Sequence, residues 1–201
     1  LGNESVTLTD TGSASAADIN FVNSNTSGAF VANKITTITG TVDEIKATYA
    51  AYASGTITGL GDEAITISDI GTTSADLAAV KALTTGVVTL SLNSTTVTAT
   101  SLNSLDANSA EAISAGAVTT ITGSAADVNT AYAASGITGL GDESVTLTDT
   151  STTASVLKTV DGNTTGSVNA GTVTSLTGSA ADLTTAYTST GITGLGNEAV
   201  T

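Results

Sequence analysis

Adjacent carboxylates stand at Asp62-Glu63 and again at Asp142-Glu143, each inside the phrase Gly-Leu-Gly-Asp-Glu. Paired carboxylates can do acid–base work, and several oxygen ligands gathered in one place suit Ca²⁺. Asp10, Asp69 and Asp149 add carboxylates just after alternating, Thr-rich stretches. Both readings meet the same objection. The phrase recurs as Leu-Gly-Asn-Glu at 1–4 and as Gly-Leu-Gly-Asn-Glu at 194–198, with Asn in place of the first acid. The chain has no Asp-x-Asp-x-Asp-Gly loop and no Gly-Gly-x-Gly-x-Asp nonapeptide. An acidic pair that returns with a repeat reads as turn and cap chemistry, its side chains bonding nearby amides. Asp62, Glu63, Asp142 and Glu143 therefore stand as Ca²⁺ candidates only, and no catalytic or cofactor-binding residue is expected.

Other side chains carry weaker signals. Thr7 and Thr9, Thr66 and Ser68, Thr89 and Ser91, and Thr146 and Thr148 form Thr-x-Thr runs that, stacked, would make an ice- or crystal-binding array. The simpler reading is strand propensity with cross-strand hydroxyl contacts. Tyr49, Tyr132 and Tyr187 fall at one position of the repeat, where each can close the edge of a core with its hydroxyl in water. The glycines of Gly59-Leu-Gly61 are followed by no Gly-Lys-Ser/Thr, so they turn the chain rather than cradle phosphate.

Composition narrows the field further. There is no His, Cys or Arg, which removes the common general bases, thiol nucleophiles and oxyanion clamps. A formal charge of −14 argues against nucleic acid and against anionic membrane surfaces. No apolar run approaches the roughly 18 residues needed to span a bilayer. The absence of Met, together with the same phrase at both ends, reads as a segment of a longer repetitive polypeptide.

The elements that must position these residues are legible in the repeat. Residues 121–132 return at 176–187, and Leu140 and Leu195 mark the same 55-residue period. It divides into a longer unit, Ile137–Gly166, and a shorter one, Ser167–Gly191, with one extra unit near 87–112. Each unit offers an alternating strand such as Val145-Thr-Leu147-Thr. Most then show a hydroxyl-to-acid helix start, as in Ser15-Ala-Ala-Asp18, Thr41-Val-Asp-Glu44, Thr73-Ser-Ala-Asp76, Ser124-Ala-Ala-Asp127 and Ser179-Ala-Ala-Asp182. Short apolar stripes follow at Ile19 and Val22, Leu77 and Val80, Leu102 and Leu105, and Leu157 and Val160. Gly55, Gly86, Gly136, Gly162 and Gly191 are placed to end the helices in left-handed caps. Helices this short need neighbours to cover their stripes. The expected fold is a repeat solenoid, a right-handed parallel β-solenoid with one short α-helix per coil of about 25–30 residues. Residues 1–201 would form one continuous array of about seven coils.

The phrases Gly-Ile-Thr-Gly-Leu-Gly-Asn-Glu-Ala-Val-Thr (191–201), Thr-Gly-Ser-Ala-Ala-Asp-Leu (177–183) and Asp-Gly-Asn-Thr-Thr-Gly (161–166) carry a resemblance. They resemble repeats of the giant Thr-rich cell-surface and secreted proteins of marine unicellular cyanobacteria, the type associated with swimming. The resemblance extends over essentially the whole chain. It implies an extracellular, array-forming role and brings no catalytic residues. The expected function is a structural, non-catalytic segment of an extracellular fibre, surface layer or adhesin stalk. Its expected partners are other copies or further repeats of the same protein, end to end or side by side, with no nucleic acid and no membrane insertion. The alternative is a binding module, for Ca²⁺-dependent adhesion, glycan or ice, working through a repetitive face.

Overall fold

The computed structural model describes residues 2–68, 72–196 and 198–200. In chain order the elements begin with β1 (Val6–Thr7), β2 (Gly12–Ser15), α1 (Ala16–Ser24), β3 (Phe30–Val31) and β4 (Ile35–Gly40). There follow α2 (Val42–Ala53), β5 (Ile57–Thr58), β6 (Ala64–Ile67), α3 (Ser74–Lys81) and β7 (Val88–Ser91). Next come β8 (Thr96–Thr98), α4 (Ala99–Asn108), β9 (Ala112–Ser114), β10 (Thr120–Gly123) and α5 (Ala125–Ala133). The third quarter ends with β11 (Ile137–Thr138), β12 (Ser144–Leu147), β13 (Ser151–Thr153) and α6 (Ala154–Asn163). The last elements are β14 (Val168–Asn169), β15 (Ser175–Thr177), α7 (Ala180–Thr188), β16 (Ile192–Thr193) and β17 (Ala199–Val200). The chain divides into two compact units, Leu1–Leu92 with Ser109–Ile113, and Asn93–Asn108 with Ser114–Thr201.

This is an α/β fold, and it corrects the expected parallel β-solenoid. The described residues form seven helices and parallel strands that separate into four sheets of three to six strands, with no closed coil. In a closed coil each strand would pair with its own counterpart. Here β12 pairs on one side with β10, the strand directly before α5, and on the other with β14, which opens the stretch after α6. The physical reason is the extra strand β13. It stands between β12 and α6 and starts a separate sheet, β13-β15-β17. The first unit does the same: β6 pairs with β4, directly before α2, and with β7, directly after α3.

Alternation of β-branched and polar residues explains the strands. In the first unit Ile38, Ile65 and Val88 lie in register and are 0–1% exposed, while Thr39, Thr66 and Thr89 take the adjacent register position. In the second, Ile121, Val145 and Val168 form the same kind of buried row. Each such side chain contributes about 1.5–3 kcal/mol on burial. Strands of two to six residues could not hold together otherwise.

The helices are short and depend on caps and neighbours. Ser15, Thr41, Thr73, Ser124 and Ser179 each accept a hydrogen bond from the backbone N–H of the acid three residues on. Glu44 and Asp76 return the bond to the cap backbone. The glycine endings differ from expectation. Of the five candidates only Gly55 has a positive φ; Gly162 lies inside α6, and Gly86 and Gly136 fall several residues beyond the ends of α3 and α5.

Successive helices are also tied through their fifth residue. Asn20 of α1 donates to the Glu44 carbonyl of α2 (2.9 Å), Asn103 of α4 to Asp127 of α5 (3.0 Å), and Asn129 of α5 to Val156 of α6 (3.4 Å). In α2 and α6 the same position holds a lysine, and Lys46 and Lys158 pair with Asp76 and Asp182 of the following helices at 2.9 and 3.0 Å. The Lys46 contact, with the bonds from Thr73, brings the Asp76 carboxyl down to about 2.

Leu157 is fully buried, whereas Phe21 on α1 is 69% exposed. Leu157→Ala should therefore cost about 2–5 kcal/mol in denaturant melts and Phe21→Ala less than about 0.5 kcal/mol. Equal losses would contradict this placement of the core.

Candidate functional site

The Gly-Leu-Gly-Asp-Glu phrases build the most distinctive polar geometry in the molecule. In the copy at 139–143 the chain turns through Gly141, whose φ of +139° is one that side chains other than glycine's rarely allow. That turn aims the Gly141 N–H at both oxygens of Glu143, at 3.2 and 2.9 Å. From α5, Tyr132 donates its hydroxyl to Glu143 Oε2 at 2.9 Å. The glutamate is 0% exposed. In the other unit Glu63, 1% exposed, accepts from the Gly61 N–H and from the Tyr49 hydroxyl, both at 2.8 Å. Its Oε1 is buried without a hydrogen-bond partner. A third copy places the Tyr187 hydroxyl 3.0 Å from Glu198 Oε2, with Gly196 N–H 2.9 Å from both oxygens.

A second contact fastens the backbone of each glutamate. Thr164 donates its hydroxyl to the Glu143 carbonyl (2.6 Å) and accepts from the Gly166 N–H (3.0 Å), while Thr165 N–H reaches the Gly141 carbonyl (2.8 Å). Gly166 lies so close that a Cβ there would overlap the Glu143 carbonyl. Thr84-Thr85-Gly86 repeats this on Glu63 and Gly61, and Thr26-Ser27-Gly28 repeats it on Glu4 and Gly2. The stations at Glu63 and Glu143 thus each join a helix, a glycine turn and the Thr-x-Gly turn that follows.

Burial pushes the pKa of the Tyr49 hydroxyl well above its ordinary value, and the hydrogen bond to Glu63 raises it further against a smaller opposing effect of Thr84. Burial likewise raises Tyr132, with Thr164 opposing and Glu143 reinforcing. A tyrosinate here would lose its bond to the glutamate and face a carboxylate across it.

No family model, curated protein or solved structure matches this chain.

The structure separates the carboxylate candidates rather than gathering them. Glu63 and Glu143 are buried in the stations, whereas Asp62 and Asp142 are exposed. The two members of each pair therefore do not share one environment. Among the described residues no group of three or more acidic side chains is placed to hold a metal ion. Asp10 is exposed, and Asp149 accepts from the Ala125 N–H at the start of α5 (2.7 Å). Asp69 lies outside the described residues.

The threonine runs are only partly in register. Thr39, Thr66 and Thr89 align in the first unit, while in the second the row Thr98, Thr122, Thr146 continues as Asn169. The tyrosines differ most from expectation. Tyr49 is 3% exposed and its hydroxyl bonds to a buried glutamate instead of water. The signal for this was co-occurrence: a tyrosine in the C-terminal half of a helix precedes Glu63, Glu143 and Glu198 by 14, 11 and 11 residues.

Removing Glu143 with Glu143→Ala strands the Tyr132 hydroxyl and the Gly141 N–H, and should cost about 2–4 kcal/mol in denaturant melts. Glu143→Gln keeps an acceptor and should cost distinctly less. A neutral Glu143→Ala would remove the station as a stabilising feature.

The raised tyrosine pKa carries a definite sign. Below about pH 10 the hydroxyls are protonated in both folded and unfolded chains, and their contribution is fully present. Above that, the unfolded tyrosines ionise first, and stability falls as pH rises. In an alkaline titration, part of the tyrosinate absorbance should therefore appear together with loss of circular dichroism. The double variant Tyr49→Phe/Tyr132→Phe should lose that coincident phase. Full tyrosine ionisation before any unfolding would contradict it.

Proposed function

We propose that the chain is a structural, non-catalytic segment of an extracellular fibre, surface layer or adhesin stalk, built by adding like repeats to one another. The observation that carries this is the recurrence of one joint, tyrosine to buried glutamate to Thr-x-Gly turn, once in each unit. The carboxylates best suited to chemistry by type are engaged in fastening one stretch of chain to the next. The excess of 18 acidic residues over four lysines supports a surface that repels its neighbours and stays dispersed. The natural partners on this reading are other copies or further repeats of the same protein. The resemblance to giant cyanobacterial surface proteins supports an extracellular location.

Pulling the chain from its ends in a single-molecule force experiment tests the reading. Resistance should appear in discrete steps, each releasing about 25–30 residues or about 8–11 nm of chain. A chelator should leave the steps and the thermal midpoint unchanged. Extension without steps would sink the structural reading. Strong dependence on Ca²⁺, or saturable binding to glycan or ice, would favour the binding-module alternative.

A further inference from the structure

The acids at the third residue of α3, α5 and α7 are held alike on one side. Thr73, Ser124 and Ser179 donate their hydroxyls to Oδ2 of Asp76, Asp127 and Asp182 at 2.7, 2.7 and 2.8 Å. On the other side they differ. Oδ1 of Asp76 receives Lys46 at 2.9 Å and Oδ1 of Asp182 receives Lys158 at 3.0 Å, each from the fifth residue of the helix before. The fifth residue of α4 is Asn103, whose amide goes to the Asp127 backbone carbonyl (3.0 Å) and not to the carboxylate. Among the described residues no group donates to Asp127 Oδ1.

Asp127 also lines a cavity of about 290 Å³ with Thr98, Thr100, Thr122, Ser124 and Thr148, all within the second compact unit. The lining is rich in acceptors. Thr98 spends its proton on Ser101 Oγ (2.8 Å) and Ser124 spends its own on Asp127. Each of the two also accepts one backbone N–H, which leaves one lone pair on each oxygen. The start of α5 does not favour an anion. Its Ala125 and Asp127 N–H groups are taken by Asp149 (2.7 Å) and Ser124 (3.1 Å), and Asp149 brings a second negative charge. The complement to a carboxylate oxygen among hydroxyl acceptors is a positive group with several donors and no acceptor, which describes an ammonium.

We propose that the cavity beside Asp127 binds a primary ammonium group, carried by a lysine side chain of another copy or by a small free amine. Lys46 and Lys158 supply that group from within the chain at the two like positions, and here it comes from outside. One N–H meets Asp127 Oδ1 and the others meet hydroxyl oxygens of the lining. The chain has a lysine to offer. Lys34 is exposed and, among the described residues, pairs with no carboxylate.

Titrating the intact, isotope-labelled chain with butylammonium, followed by NMR, tests the site. Amides of residues 98–101 and 124–127 should shift and saturate. Butanol lacks the charge and tetramethylammonium lacks N–H donors, so both should leave these amides in place. Asp127→Asn should weaken binding about tenfold. Asn103→Lys puts an internal lysine where α2 and α6 have theirs, and should abolish binding while the thermal midpoint holds or rises. Two arms separate the sources. With Lys34 of another copy as occupant, the same amides shift as the protein alone is concentrated, and Lys34→Gln removes that dependence. With a free amine as occupant, they ignore protein concentration and respond to butylammonium. Amides that butylammonium leaves unmoved in folded protein would overturn the proposal. So would equal shifts with tetramethylammonium, or undiminished binding in a folded Asn103→Lys variant. The force experiment bears on the structural reading and not on this cavity, so either can fail alone.

Discussion

A carboxylate removed from water must find hydrogen-bond donors, or its burial costs several kcal/mol. Glu63 and Glu143 impose that requirement once in each unit, and much of the local architecture follows from it. Gly61 and Gly141 must adopt positive φ to aim their N–H groups at the carboxylate. The preceding helix must end where Tyr49 or Tyr132 can reach it. The following turn must carry glycine, since Gly86 and Gly166 lie against the glutamate carbonyl. Three stretches far apart in sequence are thereby fixed against one another by one side chain.

The helices obey a parallel constraint. Helices of 8 to 12 residues are marginal in isolation, so their stability comes from caps, packing and ties to neighbours. The fifth-position Asn or Lys supplies a tie that depends on spacing between helices. Asn20, Asn103 and Asn129 reach a neighbouring backbone carbonyl, and Lys46 and Lys158 reach a capping aspartate. The aspartates at Asp76 and Asp182 thus complement their own helix N-terminus and receive the neighbour's lysine. Pairs this exposed are screened by solvent and add little to stability, so their role is chiefly to set spacing.

How much of this could be read from the chain depends on the range of the interaction. The caps at Ser15, Thr41, Thr73, Ser124 and Ser179 are local, and hydroxyl-to-acid spacing is enough to find them. The buried row of Ile121, Val145 and Val168 was visible as alternation. Which strand pairs with which was not, because alternation says that a residue faces inward and is silent about its partner strand. The inserted β13 therefore changed the expected repeating coil into separate sheets that join non-equivalent strands. The candidate site was half legible. The acidic phrases were the right place to look, yet Asp62-Glu63 read as two like ligands until burial divided them. The tyrosines escaped because an aromatic at a helix end usually keeps its hydroxyl in solvent.

The buried glutamate also bears on register. Side chains along a strand alternate between faces, so a slip of one residue would swap Glu143 with Asp142 or Ser144 beneath Tyr132. Asp142 is one methylene shorter, and Ser144 offers no carboxylate to receive both the tyrosine and the Gly141 N–H. An apolar residue at this position would tolerate such a slip, because Val, Thr and Ile recur on every side of it. In a chain where neighbouring repeats are nearly alike, apolar burial alone distinguishes poorly between correct and shifted pairings. A carboxylate that is satisfied in only one alignment makes the shifted pairing costly, and its recurrence at Glu63 and Glu143 applies that penalty once in each unit.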